Sequence, residues 1–413
     1  MKGLLIDISK KQAVLFASFL VLYEFLTYVA NDMIMPGMIK VVASFRAPQS
    51  AIALSLTAYV LGGASLQLIL GPISDRYGRR PVMLFGAFFF FLCSLLIACT
   101  GSITQFLVAR FFQGMGLCFI AVIGYATLQE IFDEMNAIRL IAIMANVAII
   151  APLLGPLLGA IYIYYFNWRY IFVAIALLAL FALWGLWRFM PEPVEKVSRV
   201  GGEVKRGFSI RGIAANYKDL LMNRPFILGS ISLGLIYMPC LAWIGLSPVM
   251  LVTGAGLTIL QYALWQLPVF GTFILGNLLL HRMTHRKTMT QLIWVGSWIA
   301  AIGLGLVCLF PLFFDAGFIW LMPGFMLYFL GGGMISAPLC RYILFVTKVS
   351  KGTASALMSM ISMCIQGLGI ELANALYSAY NNLFFGWYCA LVALAYVILL
   401  SWSLQHRTVN TAL

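Results

Sequence analysis

Long apolar stretches alternate with short polar turns along almost the whole chain. A helix of about 20 apolar residues is enough to cross the hydrocarbon core of a bilayer. Twelve such windows are present, at roughly 13–36, 50–71, 81–100, 103–129, 138–163, 167–189, 225–251, 259–281, 287–310, 316–345, 352–378 and 383–404. The pattern predicts an all-α integral membrane protein with twelve transmembrane helices. One long polar stretch, near 191–223, falls after the sixth window and carries Pro191, Pro193, Gly201, Gly202 and mixed charges, with a surface helix expected near 209–222. It divides the chain into a six-helix half at 1–190, a linker at 191–223 and a second half at 224–413. Such a layout suits two halves that rock against each other about a central site.

Composition agrees with the pattern. Hydrophobic residues make up 63% of the 413 and charged residues only 9%, and mean hydropathy is +0.99, outside the range of soluble domains. The first apolar run is too long for a cleavable signal, and Glu24 and Asp32 are foreign to one. The net charge of +13 is distributed unevenly. The expected cytoplasmic segments hold twenty Lys and Arg, against Lys40, Arg46 and Arg169 on the other side, which predicts cytoplasmic termini. This charge marks topology and a lipid surface, and nucleic acid would need a soluble basic face. The eight cysteines lie inside apolar spans without ligand spacing, so no metal or cofactor is implied. His281, His285 and His406 sit at or beyond cytoplasmic helix ends, and no nucleophile–base pair emerges that would make a membrane enzyme.

Few ionisable groups remain within the spans. Glu24 and Asp32 lie in the first, Arg110 in the fourth and Glu371 in the eleventh; Arg341 is near the inner end of the tenth. A charge at such depth costs about 2.5–3.5 kcal/mol on insertion scales, so each needs a partner or a wet cavity. Glu24 and Asp32 are eight residues apart, which puts them about 80° apart around the helix and roughly 12 Å apart along it. They are expected to face one cavity at two depths, with Arg110 within reach of either. An acid beside Arg holds its charge, and the same acid moved into apolar surroundings takes a proton. Rocking halves would therefore load and unload protons. A static ion-pair network that only fixes packing is the alternative, and for Glu371 so is snorkelling toward the outer surface.

Two motifs narrow the class. Gly71-Pro-Ile-Ser-Asp75-Arg76-Tyr-Gly78-Arg79-Arg80-Pro81 is a charged hinge between the second and third spans, and it resembles the corresponding loop of the major facilitator superfamily. The turn at 280–287 occupies the same place in the second half and keeps only the basic charge. Pro152, Gly155, Pro156 and Gly159 predict a kinked, closely packed fifth helix; with the 71–81 hinge they resemble the antiporter signature of the exporting branches. Arg110-Phe-Phe-Gln113-Gly114-Met-Gly116 resembles the superfamily's fourth-span motif, whose Arg is linked to proton coupling. The resemblance implies the major facilitator fold.

Segments in both halves, among them Leu22 to Tyr28, Asn31 to Met38, Asn146 to Ala148 and Leu241 to Ile244, resemble the MdfA family of multidrug facilitators. That resemblance implies proton-coupled export of lipophilic cationic, zwitterionic or neutral compounds across a bacterial inner membrane by a monomer. It places proton exchange on Glu24 and Asp32 with support from Arg110, and the drug pocket at Tyr28, Asn31, Ala148, Leu241 and Ile244. Gln366 stands where that family has an aromatic residue, and a polar amide there could hydrogen-bond cargo. A dedicated metabolite or siderophore carrier on the same scaffold is the alternative; a membrane enzyme or a sensor is more remote.

Overall fold

The computed structural model describes residues 4–6, 8–193, 210–284, 286–314, 317–380 and 382–410, without the side chains at 134–135, 138–139, 142–143, 145–146, 148–149, 210–211, 213, 378–380 and 406–410. Helices follow the apolar windows closely. The first half comprises α1 (Lys10–Asp32), α2 (Ser50–Ser65), α3 (Gln67–Tyr77), α4 (Arg79–Ala98), α5 (Ile103–Gly114), α6 (Tyr125–Ile131), α7 (Glu134–Tyr165) and α8 (Arg169–Phe189). A surface helix, α9 (Ile210–Met222), precedes α10 (Arg224–Ser247), α11 (Ile259–Met283), α12 (Met289–Phe313), α13 (Met322–Phe345), α14 (Lys351–Tyr380) and α15 (Asn382–Asn410). Among the described residues ten helices are long and apolar enough to span, and the bent pair α2–α3, with its 43° break, makes an eleventh. With the 32-residue α7, this is consistent with twelve spans.

Polar residues just before the apolar runs explain where helices begin. Ser9, Ser102, Asp133 and Asn223 each accept a hydrogen bond from a backbone N–H in the following first turn, and Thr258 and Thr288 form capping boxes with Gln261 and Gln291. Two spans are not plain α-helix: π-helical turns occupy Phe119–Gly124, between α5 and α6, and Pro248–Gly254 after α10. In the first half α1 packs on α7 and α8, and α5 on α2 and α4. In the second, α10 packs on α14 and α15, and α13 on α11 and α12. The halves meet where α2 lies along α14 and α7 along α11. Large apolar side chains such as Phe85, Leu96, Trp187 and Trp402 remain exposed on the outside, as suits a surface facing lipid rather than water.

One expectation is corrected. The 71–81 hinge is mostly helix: α3 runs through Pro72 to Tyr77, Gly78 is the single non-helical residue, and α4 begins at Arg79. Gly78 has φ +100°, open to glycine at little cost, so one residue suffices for the reversal. The fifth span is helical through Pro152 and Pro156. The linker at 194–209, the His285 residue and the side chains of Ala148 and His406 lie outside the described residues. On the described side of the linker, α9 is held by its Tyr217 hydroxyl, which donates to the Leu68 carbonyl at 3.0 Å.

Candidate functional site

Arg110 organises the core of the first half. Its guanidinium is fully buried and gives its donors to four acceptors. Nη2 donates to Asn31 Oδ1 at 2.7 Å, Nη1 to Gln113 Oε1 at 2.8 Å and to the Ala30 carbonyl at 3.1 Å, and Nε to Ser55 Oγ at 3.3 Å. The cation also lies 4.5 Å from the centre of the Tyr59 ring, whose hydroxyl donates to the Thr27 carbonyl. Gln113 passes the chain on to Ser94 Oγ at 2.9 Å. Only the planar five-donor fork of arginine fits so many directions at once.

Neither acid pairs with Arg110 directly. Asn31 stands between: its Nδ2 donates to Asp32 Oδ1 at 3.1 Å while its Oδ1 accepts from Arg110. Successive residues on a helix point about 100° apart, so Asn31 turns to α5 and Asp32 turns away from it. Asp32 backs onto α7, where a Cβ on Gly155 would come within 2.8 Å of its own Cβ, and a Cβ on Gly159 would strike the Met33 carbonyl. These two glycines let α7 lie directly against α1 at Asp32 and Met33. Among the described residues the two acids meet different neighbours. Asp32 lines a small cleft with Pro152 and Pro156 of α7 and with Ile244, Tyr262, Gln266 and Phe270 of the second half. Glu24 is equally buried but faces Tyr125, whose hydroxyl donates to its Oε1 at 2.8 Å, and its Oε2 has no hydrogen-bond partner. The angle between the acids sends one to α6 and the other to α7 and α11.

The second half meets this cleft with neutral polar groups. Trp243 Nε1 donates to Gln266 Oε1 at 2.9 Å, Gln266 Nε2 donates to Ser247 Oγ at 3.3 Å, and Ser247 lies 3.3 Å from the Tyr262 hydroxyl. Of the pocket residues expected from sequence, Asn31 and Ile244 border the site; Tyr28 and Leu241 are half-buried on α1 and α10. Gln366 spends its amide on Ser362 Oγ of its own helix at 2.8 Å.

At the other end of the first half, the 71–81 segment is tied into a charge cluster. Arg79 pairs with Asp75 at 2.6 Å and with Glu130 of α6 at 2.8 Å. Glu192 accepts from the backbone N–H groups of Arg79 and Arg80 at 3.0 and 2.9 Å, a carboxylate on the positive end of α4. Arg80 Nη2 reaches the Trp187 carbonyl at 2.6 Å, and Arg76 lies over the Tyr77 ring.

Comparison with known proteins fits this arrangement. The model of the Major Facilitator Superfamily matches residues 20–373. The chain belongs to the major facilitator superfamily. It is 47% identical over 367 residues, 89% of this chain and 88% of the relative, to the multidrug transporter MdfA of Yersinia pestis bv. Antiqua (strain Angola). It is 43% identical to the multidrug transporter MdfA of Edwardsiella ictaluri (strain 93-146), covering 97% of this chain and 96% of the relative. Among solved structures, a bacterial homologue of the human lysosomal transporter Spinster, inward-facing and unoccupied, superposes with TM-score 0.71 at 15% identity, covering 96% of this chain and 97% of that one. At that identity the likeness speaks for the superfamily fold alone.

The two remaining charged candidates of this superfamily member differ in setting. Glu371 does not snorkel freely: its Oε1 lies 2.6 Å from Thr57 Oγ1 across the seam between the halves. Arg341 is exposed, over the Phe345 ring at 4.8 Å. Nearby, Lys351 donates to the Leu344 and Thr347 carbonyls at 2.6 and 3.2 Å, capping the end of α13. Sequence reading missed Ser55, Tyr59, Tyr125, Thr57, Gln266 and Glu192. A hydroxyl or amide in an apolar span carries no signal of its partner until the neighbouring helix is placed.

Proposed function

We propose that the protein is a proton-coupled antiporter that exports lipophilic cationic, zwitterionic or neutral compounds by alternating access. It acts as a monomer of the bacterial inner membrane with both termini in the cytoplasm. The observation that carries this reading is Asp32: a buried acid, relayed through Asn31 to Arg110, on the wall of a cleft shared by both halves. Cargo entering the opened, wetted cleft competes for Asp32 and displaces its proton; once the cargo has left, the acid in its drier setting takes a proton up again, so the two exchange. Glu24 acts as the second acid, held by Tyr125. Cargo contacts Tyr28, Asn31, Ala148, Leu241, Ile244 and Gln366, and its apolar parts rest on adaptable aromatic and aliphatic surface. The rocking units are residues 1–190 and 224–413, joined by 191–223. The Asp75–Arg79–Glu130 cluster with Arg76, Gly78 and Arg80 acts as the inner switch, and Pro152 to Gly159 as the packed seam. The names of the 43–47% identical relatives support multidrug cargo.

The test uses purified protein in liposomes with an internal pH dye and an imposed proton gradient. Several unrelated lipophilic cations and neutral antibiotics should each drive proton movement in the wild type. Asp32→Asn should abolish that movement while a neutral compound still binds. Normal pH-driven exchange in Asp32→Asn would sink the coupling role. A response to one compound alone would make the protein a dedicated carrier.

A further inference from the structure

We propose that Tyr328 is a positioning residue for cargo selection: its hydroxyl bridges a weakened turn of α10, so that the last part of that helix bends to fit cargo of different sizes. The inference rests on the reading that cargo enters the cleft between the halves, and it names the element of the second half that adjusts.

The weakened turn lies between Leu235 and Cys240. In a helix each N–H bonds the carbonyl four residues earlier. Pro239 has no N–H, so the Leu235 carbonyl lacks its ladder partner. The next rung joins Cys240 to Ile236, and there Tyr328 of α13 brings in its hydroxyl. It accepts from the Cys240 N–H at 3.1 Å and donates to the Ile236 carbonyl. A hydroxyl can accept and donate at once, so this one serves both backbone groups whether the rung between them is short or stretched. In the hydrocarbon core there is no bulk water to take its place. A proline beside an inserted side chain is where a helix bends. Tyr328 is itself firmly held: it is buried, and its ring meets Phe325 and Phe329 edge-on with centroids 6.3 and 5.1 Å apart.

The two parts of α10 are fixed differently. Before the joint the helix is fastened within the second half. A Cβ on Gly229 would come within 2.8 Å of Ile343, and one on Gly234 within 2.8 Å of Ile365. Ser403 Oγ donates to the Pro225 carbonyl at 3.1 Å, and Asn223 Nδ2 to the Val346 carbonyl at 3.2 Å. Beyond the joint, a Cβ on Gly245 would meet its neighbours at 3.4 Å or more, and two of these, Leu56 and Ala53, belong to the first half. This last part brings Trp243, Ile244 and Ser247 to the cleft. Room lies beside the joint as well, in a cavity whose lining includes Ile236, Tyr237 and Cys240 of α10, Phe273 of α11 and Tyr328 of α13. Bending at the joint moves Ile244 relative to Asp32 and Pro152 on the facing wall, and so sets the width of the cleft.

The experiment reads the bend by pulsed electron resonance in full-length protein in nanodiscs. Spin labels sit at Ala255→Cys and Phe313→Cys, both exposed and both in the second half, so rocking of the halves leaves their distance alone. The native cysteines are replaced first, Cys240 by Ala because only its backbone takes part. Ala255 lies about 20 Å beyond the joint, so a bend of about 10° moves it by about 4 Å. The cargo is a series of phosphonium ions of one charge and rising size, from tetrapropylphosphonium to tetraphenylphosphonium. In the parent protein the distance should shift further as the bound ion grows. Tyr328→Phe keeps the ring and its packing; it should stay folded, lose the shift, and bind tetraphenylphosphonium about tenfold more weakly, the worth of one hydrogen bond, with tetrapropylphosphonium unaffected. Pro239→Ala, which gives the Leu235 carbonyl back its donor, should act in the same direction. Tyr328→Phe that matches the parent, or that weakens both ions equally with the shift retained, would overturn the joint. So would a parent protein that binds both ions at one unchanged distance, which leaves the antiporter reading standing. Binding of neither ion, nor of any neutral antibiotic, would overturn that reading and the joint with it.

Discussion

Glu24, Asp32 and Arg110, the three buried charged side chains among the described residues, all lie on α1 and α5, whereas the facing helices α10 and α11 bury a neutral chain of Trp243, Gln266, Ser247 and Tyr262. The two halves share an architecture but not an electrostatic task. Confining the fully buried charges to one half means that, at the central cleft, a rocking motion alters their solvation against a neutral partner surface. A second acid on that surface would couple to the first and blur a proton step. The same contrast holds at the turns after the second span of each half. The 71–81 segment is locked by Asp75, Glu130 and Glu192, while its counterpart at 280–287 keeps basic residues without the acid or the glycines.

The largest effect should come from Arg110. Replacing it with Ala leaves Asn31, Gln113 and the Ala30 carbonyl without their donor, at a cost of about 1–3 kcal/mol for each buried acceptor left unsatisfied, read as loss of monodisperse protein and of transport. Charge alone would predict rescue by Arg110→Lys. The four acceptors around the guanidinium predict little rescue, because a Lys ammonium cannot reach them together; near-normal transport in Arg110→Lys would break the comparison at its centre. An intermediate effect is expected where α7 supports Asp32. Gly159→Ala drives a methyl into the Met33 carbonyl and should cost about 1–3 kcal/mol in thermal unfolding. Gly271→Ala on α11, where nothing lies within 4 Å, should stay within about 0.5 kcal/mol. The smallest effect belongs to the neutral half. Gln266→Leu removes two hydrogen bonds worth about 1 kcal/mol each and should shift the preference among compounds without changing the pH dependence of exchange. A changed pH dependence would show that the second half takes part in proton handling.

The fold was legible because lipid imposes a length and a composition on each span, and both can be read without knowing any neighbour. The helix starts at Ser9, Ser102, Asp133, Asn223, Thr258 and Thr288 were equally local. The site was legible in part. Glu24, Asp32 and Arg110 stood out because a charge in an apolar run is costly wherever the run lies. Their pairing did not, since helical spacing on α1 constrains angles within one helix and says nothing about which helix occupies each side. Hence the relay that Asn31 forms between Arg110 and Asp32 appears only once both helices are placed. Tyr125 could not be connected to Glu24, for the π-helical turn ahead of it alters the register of the fourth span.

The amino-acid sequence by itself determined that this is a many-helix membrane protein of two halves, where its helices run and which charges lie inside the membrane. These are consequences of transfer from water to hydrocarbon, a property each segment has alone. Only the tertiary structure decided which acid meets the cleft, that Arg110 addresses neither acid directly, and that Thr57 and Glu371 join across the seam between the halves. Those are consequences of hydrogen-bond geometry between helices far apart in the chain, where differences of about 100° per residue decide which groups meet.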